Sequence, residues 1–152
     1  MVNFLRFATI AAVAFACACA KQELPQKFDP ARDAASDVAK AVALAKTQGK
    51  RVIVDVGGEW CAWCHILDGF IAKNDDVKSL VDSHYVLVKV NYSNENKNEA
   101  LLSRWPQVAG YPHLFVLDAD GKLLHSQDTE ELEAGKSYDK AKFVAFVQRW
   151  AS

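Results

Sequence analysis

Cys61 and Cys64 stand two residues apart in the stretch Gly57-Gly-Glu-Trp-Cys-Ala-Trp-Cys-His65, with a histidine directly after the second thiol. Three chemistries use that spacing. Thiols three positions apart lie side by side on one helix face, so they can close into a disulfide and exchange it with other sulfurs. Cys61-Ala-Trp-Cys-His65 also satisfies the attachment pattern of a c-type haem, with His65 on the iron. In that case only His84, His113 or His125 is left for the distal side, because Met1 is the one methionine. Finally, two soft thiolates with His65 or His113 can hold copper(I) or zinc. Beyond Ala20 there is no further cysteine and no His-rich tract, so a metal cage would be short of ligands.

The elements around the pair say how it is placed. Arg51 to Val56 is a β-branched run between Gly49 and Gly57-Gly58, the pattern of a strand buried on both faces. Trp60 to Lys73 reads as a helix whose first turn carries the cysteines, and Asp75 to Ser83 as a further short one. Tyr85 to Val90 is a second strand, parallel to the first across this βαβ unit. Upstream, Asp29-Pro30 opens an amphipathic helix that runs to Gln48. Downstream, Asn91 to Asn98 is a polar loop without apolar anchors, and Glu99 to Trp105 a short helix stopped by Pro106. His113–Leu117 and Lys122–His125 flank an Asp/Gly turn and form a hairpin. Thr129 to Lys136 is an acidic loop, its Glu130, Glu131 and Glu133 solvated like Glu59. Tyr138 to Trp150 closes the chain as a helix with Phe143, Phe146, Val147 and Trp150 toward the core.

Composition narrows the classes. With 152 residues there is room for one core, and 51% hydrophobic with 24% charged residues is ordinary globular usage. A net charge of −1 supplies no basic field for phosphates, which argues against nucleic acid as a partner. Residues 1–20 carry Arg6, an apolar Ala/Phe run and the small-residue end Ala18-Cys19-Ala20, the pattern of a secretory signal peptide cleaved after Ala20. The apolar run is short for a membrane anchor, so no stable membrane insertion is expected once it is removed. The residues before Cys17 and Cys19 fit a lipidation box poorly. The expectation is an exported protein, periplasmic or secreted, whose mature domain spans 21–152 and keeps only Cys61 and Cys64. One close pair is no structural framework, so its role is functional.

With Val54-Asp55-Val56 ending a strand, Trp60-Cys61-Ala-Trp-Cys64 after it, and Val108-Ala-Gly-Tyr-Pro112 before the hairpin, the chain resembles the thioredoxin superfamily. The likeness covers most of the mature chain. It implies an α/β thioredoxin-like fold, with a central mixed β-sheet flanked by helices on both faces. It also implies a protein-disulfide oxidoreductase that needs no cofactor and acts on protein thiols or disulfides, with a membrane thiol carrier as electron donor or acceptor. Asp55, six residues before Cys61, falls where the superfamily keeps a buried acid, and Pro112 where it keeps a cis-proline. The Ala62-Trp63 dipeptide and His65 depart from thioredoxin itself, and the direction of electron flow stays open.

Physical chemistry then assigns roles. Cys61 at the helix mouth meets free N–H groups and the positive dipole end, which favour its thiolate and make it the nucleophile. Cys64, one turn on, resolves the mixed disulfide. Burial raises the proton affinity of Asp55, suiting it to exchange a proton with Cys64, unless it is a solvated strand-end carboxylate. Pro112, if cis, leaves the backbone of Tyr111 free for a substrate strand; a trans turn proline is the plainer alternative. Trp60 and Tyr111, with Trp63, form an apolar rim or simply pack. Trp63 and His65 are also placed to tune the thiols, although a surface histidine with no role is the commoner case.

Overall fold

A computed structural model describes residues 23–152; the signal-peptide reading, with Cys17 and Cys19, lies outside the described residues. The first helix, α1 (Ala34–Gln48), starts four residues later than the Asp29-Pro30 signal suggests. Asp29 instead closes a turn onto the Ala31 N–H (2.9 Å), and Asp33 caps the helix by accepting from the Ser36 N–H (3.0 Å). Gly49, at φ +65°, ends α1 in the left-handed conformation that lets its N–H reach back to Ala45.

Then follow β1 (Arg51–Gly57), α2 (Ala62–Lys73), α3 (Asp75–His84), β2 (Tyr85–Asn91) and a single-turn α4 (Glu99–Leu102), shorter than the helix expected to Trp105. The hairpin strands are β3 (His113–Leu117) and β4 (Leu123–Asp128). The stretch expected as an acidic loop is instead a 3-10 turn (Thr129–Leu132) followed by a minimal hairpin of β5 (Glu133–Ala134) and β6 (Ser137–Tyr138). Leu132 gives the reason, because it is buried in the core and pulls the segment inward. Helix α5 (Lys140–Arg149) closes the chain, capped by Asp139 on the Lys142 N–H. Trp150 lies just past its end, half-buried; it packs against the edge of the core and stacks on His125 at 4.6 Å.

The sheet order is β2-β1-β3-β4, with β1 parallel to β2 and antiparallel to β3. Alternation along β1 splits the core in two. Val52, Val54 and Val56 pack with α1, Val88 and Phe115 on one face. Ile53 faces the other way, onto Leu67 and Phe70 of α2, Val77 and Val81 of α3, and Phe143 and Val147 of α5. Each of these buried side chains contributes about 1.5–3 kcal/mol over its exposed state. Asp55 and Gly57 share the face of Ile53, which turns them toward α2 and the cysteines.

Candidate active site

Cys61 is the N-cap of α2 and Cys64 lies one turn in, and the two are joined by a disulfide bond. Cys61 Sγ accepts from the Cys64 N–H at 3.1 Å, so one of the unpaired donors at the helix mouth already points at the sulfur. Cys64 is fully buried and Cys61 nearly so. The pair forms one buried cluster with Phe28, and Trp63 and Tyr111 pack against that cluster.

Gly57 makes room for the pair. A methyl group there would collide with Cys64 Sγ and come within 3.1 Å of Phe28 Cζ. Gly57→Ala is therefore expected to destabilise the oxidised protein by about 1–3 kcal/mol, the cost of overpacking a filled site; chemical denaturation of the two proteins side by side measures it. Gly58 is equally constrained, because a Cβ would lie 2.9 Å from the Tyr92 carbonyl and against the Trp60 indole. That indole donates Nε1–H to Tyr92 O at 2.8 Å and meets Tyr111 edge-on at 5.7 Å between ring centres. Tyr111 in turn stacks on Tyr92 at 4.8 Å. Trp60, 58% exposed, is the outer member of this aromatic group.

The Tyr111–Pro112 peptide is cis, as the resemblance implies. The Pro112 carbonyl accepts from Thr129 Oγ1 at 2.6 Å, which ties this loop to the 3-10 turn. Burial raises the proton affinity of the Tyr111 phenol, pushing it up to about 12 with help from Tyr92, so the rim stays neutral at ordinary pH. Trp63 sits on another flank, edge-on to Tyr138 at 5.7 Å. The site thus brings Trp60 and Tyr111 together and leaves Trp63 apart from them. His65 Nε2 lies 2.8 Å from the Glu59 carbonyl, which makes it a clamp on the turn before the cysteines. His113 belongs elsewhere, buried beside Phe115 and bonded to Ser126 Oγ at 2.8 Å. Among the described residues no group of three His, Cys, Asp or Glu side chains converges as a metal ion would need.

Asp55 is buried, and not the solvated carboxylate of the plainer alternative. Its Oδ2 accepts from Lys89 Nζ at 2.9 Å, while Oδ1 is buried without a partner. Burial raises its proton affinity, Lys89 opposes the rise, and Asp68 adds to it. Lys89 is itself buried, which by itself disfavours its charge, but Asp55 and Asp68 outweigh that and hold it protonated. Its ammonium reaches Asp68 Oδ1 at 2.7 Å and lies 4.1 Å over the Phe28 ring. The three faces of the cation are thus met by two carboxylates and one π-face.

Four contributors escaped the sequence reading. Phe28 sits in what looked like a patternless lead-in, Tyr92 in a loop read as lacking apolar anchors, and Thr129 in the supposed acidic loop. Lys89 was an unremarked charge in an apolar strand; in register with Asp55, that inward charge was the available signal. Glu59 is exposed, as expected, and also accepts the Phe28 N–H at 2.9 Å.

A four-stranded mixed sheet, a Cys-x-x-Cys pair at a helix mouth and a cis-proline loop define a thioredoxin-like domain. The sequence pattern of the thioredoxin-like family matches residues 33–119, and the chain belongs to that family. Among curated relatives, it is 28% identical over 95 residues to the disulfide bond reductase DsbH of Chlamydia pneumoniae, covering 57% of each chain. It is 31% identical over 112 residues to the thiol:disulfide interchange protein DsbD of Pseudomonas fluorescens, covering 72% of this chain and 17% of that one. The chain therefore spans little more than half of the first relative and a small part of the second. Among solved structures, a disulphide isomerase from Xylella fastidiosa Temecula1 superposes with a TM-score of 0.69 at 27% identity, over 84% of this chain and 97% of that one.

Proposed function

We propose that this chain is a thiol-disulfide oxidoreductase that acts on protein disulfides or thiols in the cell envelope, through Cys61 and Cys64. The observation that carries the reading is the cysteine pair closed at the mouth of α2, with Tyr111 of the cis-proline loop packed against it. In the reducing direction the Cys61 thiolate attacks one sulfur of a substrate disulfide. The S–S bond breaks and the departing substrate sulfur takes a proton. Asp55 Oδ1 then accepts the Cys64 proton, Cys64 attacks Cys61 Sγ, and the second substrate sulfur leaves as a thiolate. Two electrons pass to the substrate and the Cys61–Cys64 bond is restored. Trp60, Tyr111 and Pro112 form the surface that receives the substrate segment. Trp63 supports the pair from its other flank and His65 holds the turn before it.

The similarity to a disulfide bond reductase favours the reducing direction. Reduced protein must then be regenerated by another dithiol, and a membrane thiol carrier fits an exported enzyme. Insulin reduction with dithiothreitol, run in the presence of a chelator, tests the activity: catalysed precipitation is expected, and a rate equal to dithiothreitol alone contradicts the reading. Equilibration with glutathione tests the direction. A potential near about −270 mV marks a reductant and one near about −120 mV an oxidant.

Asp55 adds a pH signature. Its carboxylate accepts a proton only when ionised, so the resolving step is expected to accelerate as pH rises through its elevated pKa. Asp55→Asn should remove that limb, leaving only the titration of the thiols. Stopped-flow measurement of the step across pH decides it, and an unchanged profile removes Asp55 from the mechanism.

A further inference from the structure

The two cysteines are covered by different things. Tyr111, only partly buried and in contact with the exposed Trp60, covers the pair on one flank, and the partly buried Trp63 covers it on another. A further part of the cover is Phe28, 2% exposed, whose ring lies by Gly57 and Cys64 Sγ. Phe28 belongs to no helix or strand. It is carried by a strap, residues 23–32, that precedes α1 and lies outside the family's matched segment at 33–119.

Side chains at several points hold this strap. Glu59, in the turn before the cysteines, accepts the Phe28 N–H at 2.9 Å. Asn96 Nδ2 donates to the Pro30 carbonyl at 2.9 Å. Arg32, bound to Asp37, reaches back to the Glu23 carbonyl at 3.4 Å. Beyond Phe28, the strap's Pro25 and Gln26 line a cavity of about 460 Å³ together with Asp68 and Lys89. Lys89, which lines that cavity, sits over the Phe28 ring, and the ring in turn packs with the buried Cys64.

We propose that Phe28, latched by Glu59, is a positioning residue that seals the inner side of the redox pair and leaves Cys61 as the sulfur through which exchange begins. A sealed Cys64 meets only Cys61, so a mixed disulfide is resolved internally and is not intercepted by small disulfides. This rests on the reading of Cys61 as the attacking thiol and adds a device that chooses between the two sulfurs.

Alkylation of the reduced protein by iodoacetamide, mapped by mass spectrometry, tests both levels separately. In the unmodified chain Cys61 is expected to react first; if Cys64 reacts first, the attacking-thiol reading itself fails. In a Cys61→Ser background the rate at Cys64 then reports the seal alone. Glu59→Ala keeps the Phe28 ring but removes its latch, one hydrogen bond to a charged acceptor, and is expected to raise that rate about tenfold. Phe28→Ala should raise it further, while Phe28→Leu, which keeps the apolar volume, should stay within about threefold of the parent. Circular dichroism melts of each variant separate opening of the strap from general unfolding. Cys64 reacting in folded Glu59→Ala as slowly as in its parent overturns the seal, as does a Phe28→Leu rate equal to that of Phe28→Ala.

Discussion

Replacing Cys64 with serine is expected to stop turnover and leave the protein joined to its substrate through Cys61. The pair sits in one helical turn, with Cys61 Sγ already 3.1 Å from the Cys64 backbone nitrogen, so the resolving attack is intramolecular. Effective molarities for well-oriented intramolecular steps are very large, on the order of 10⁵ M or more, and no solution thiol at millimolar concentration replaces one. The serine hydroxyl is no substitute, since it does not ionise near neutral pH. Turnover on a protein disulfide should fall by at least about a thousandfold. Non-reducing electrophoresis and intact mass should show a one-to-one adduct that dithiothreitol releases. A monothiol variant turning over within about tenfold of the parent would mean that resolution does not need Cys64.

Lys89→Met is expected to have the largest effect on stability. Lys89 is buried and holds Asp55 at 2.9 Å and Asp68 at 2.7 Å; methionine fills much of its volume but leaves the Asp55 carboxylate alone in the interior. Breaking a buried pair in this way costs about 3–5 kcal/mol. At roughly 2–4 °C per kcal/mol for a domain of this size, the melting temperature should drop by about 10 °C or more. The pH dependence has a definite sign. Asp55 has a raised folded pKa even with Lys89 present, so its ionisation opposes folding, and removing the cation raises that pKa further. The deficit should thus be smallest at acidic pH, where Asp55 is protonated in the folded protein, and grow as pH rises through the elevated pKa. Adding Asp55→Asn to Lys89→Met should recover most of the loss at pH 7. Thermal melts between pH 4 and pH 8 check both statements, and a deficit independent of pH would place the cost in packing instead.

The redox centre was legible because its logic is local. Two cysteines three positions apart, a Gly-Gly turn and a strand before them are read within a dozen residues, and the helix mouth that polarises Cys61 follows from the same short stretch. Asp55 and Pro112 needed the superfamily likeness to be singled out, and the structure places the first in the core and the second beside the pair through Tyr111. What stayed hidden acts across the chain. Phe28 is held by a residue 31 positions away, Lys89 by one 34 away, and Pro112 by Thr129, 17 away. Local polarity hid Phe28 and Thr129, whereas Lys89 stood as a lone charge in an apolar strand. KQELPQKF looks like a solvated lead-in because its one aromatic has no apolar neighbours in sequence; its partners are Cys61, Cys64 and the Lys89 ammonium. NYSNENKN looks unanchored for the same reason, yet Asn91 is buried with its amide on the Asn96 carbonyl, and Tyr92 stacks on Tyr111. The Asp29-Pro30 helix start failed because two competing caps stood four residues apart. Only Asp33 reaches an N–H three residues on, while Asp29 is spent on a turn.

The central claim is that sulfur chemistry starts at Cys61. Its most direct measurement is to block that thiol alone in the reduced protein with iodoacetamide, confirm the site by peptide mass, and assay insulin reduction. The rate should fall to that of dithiothreitol without enzyme, although Cys64 and the whole fold remain intact. Catalysis persisting at an appreciable fraction of the unblocked rate would contradict the assignment.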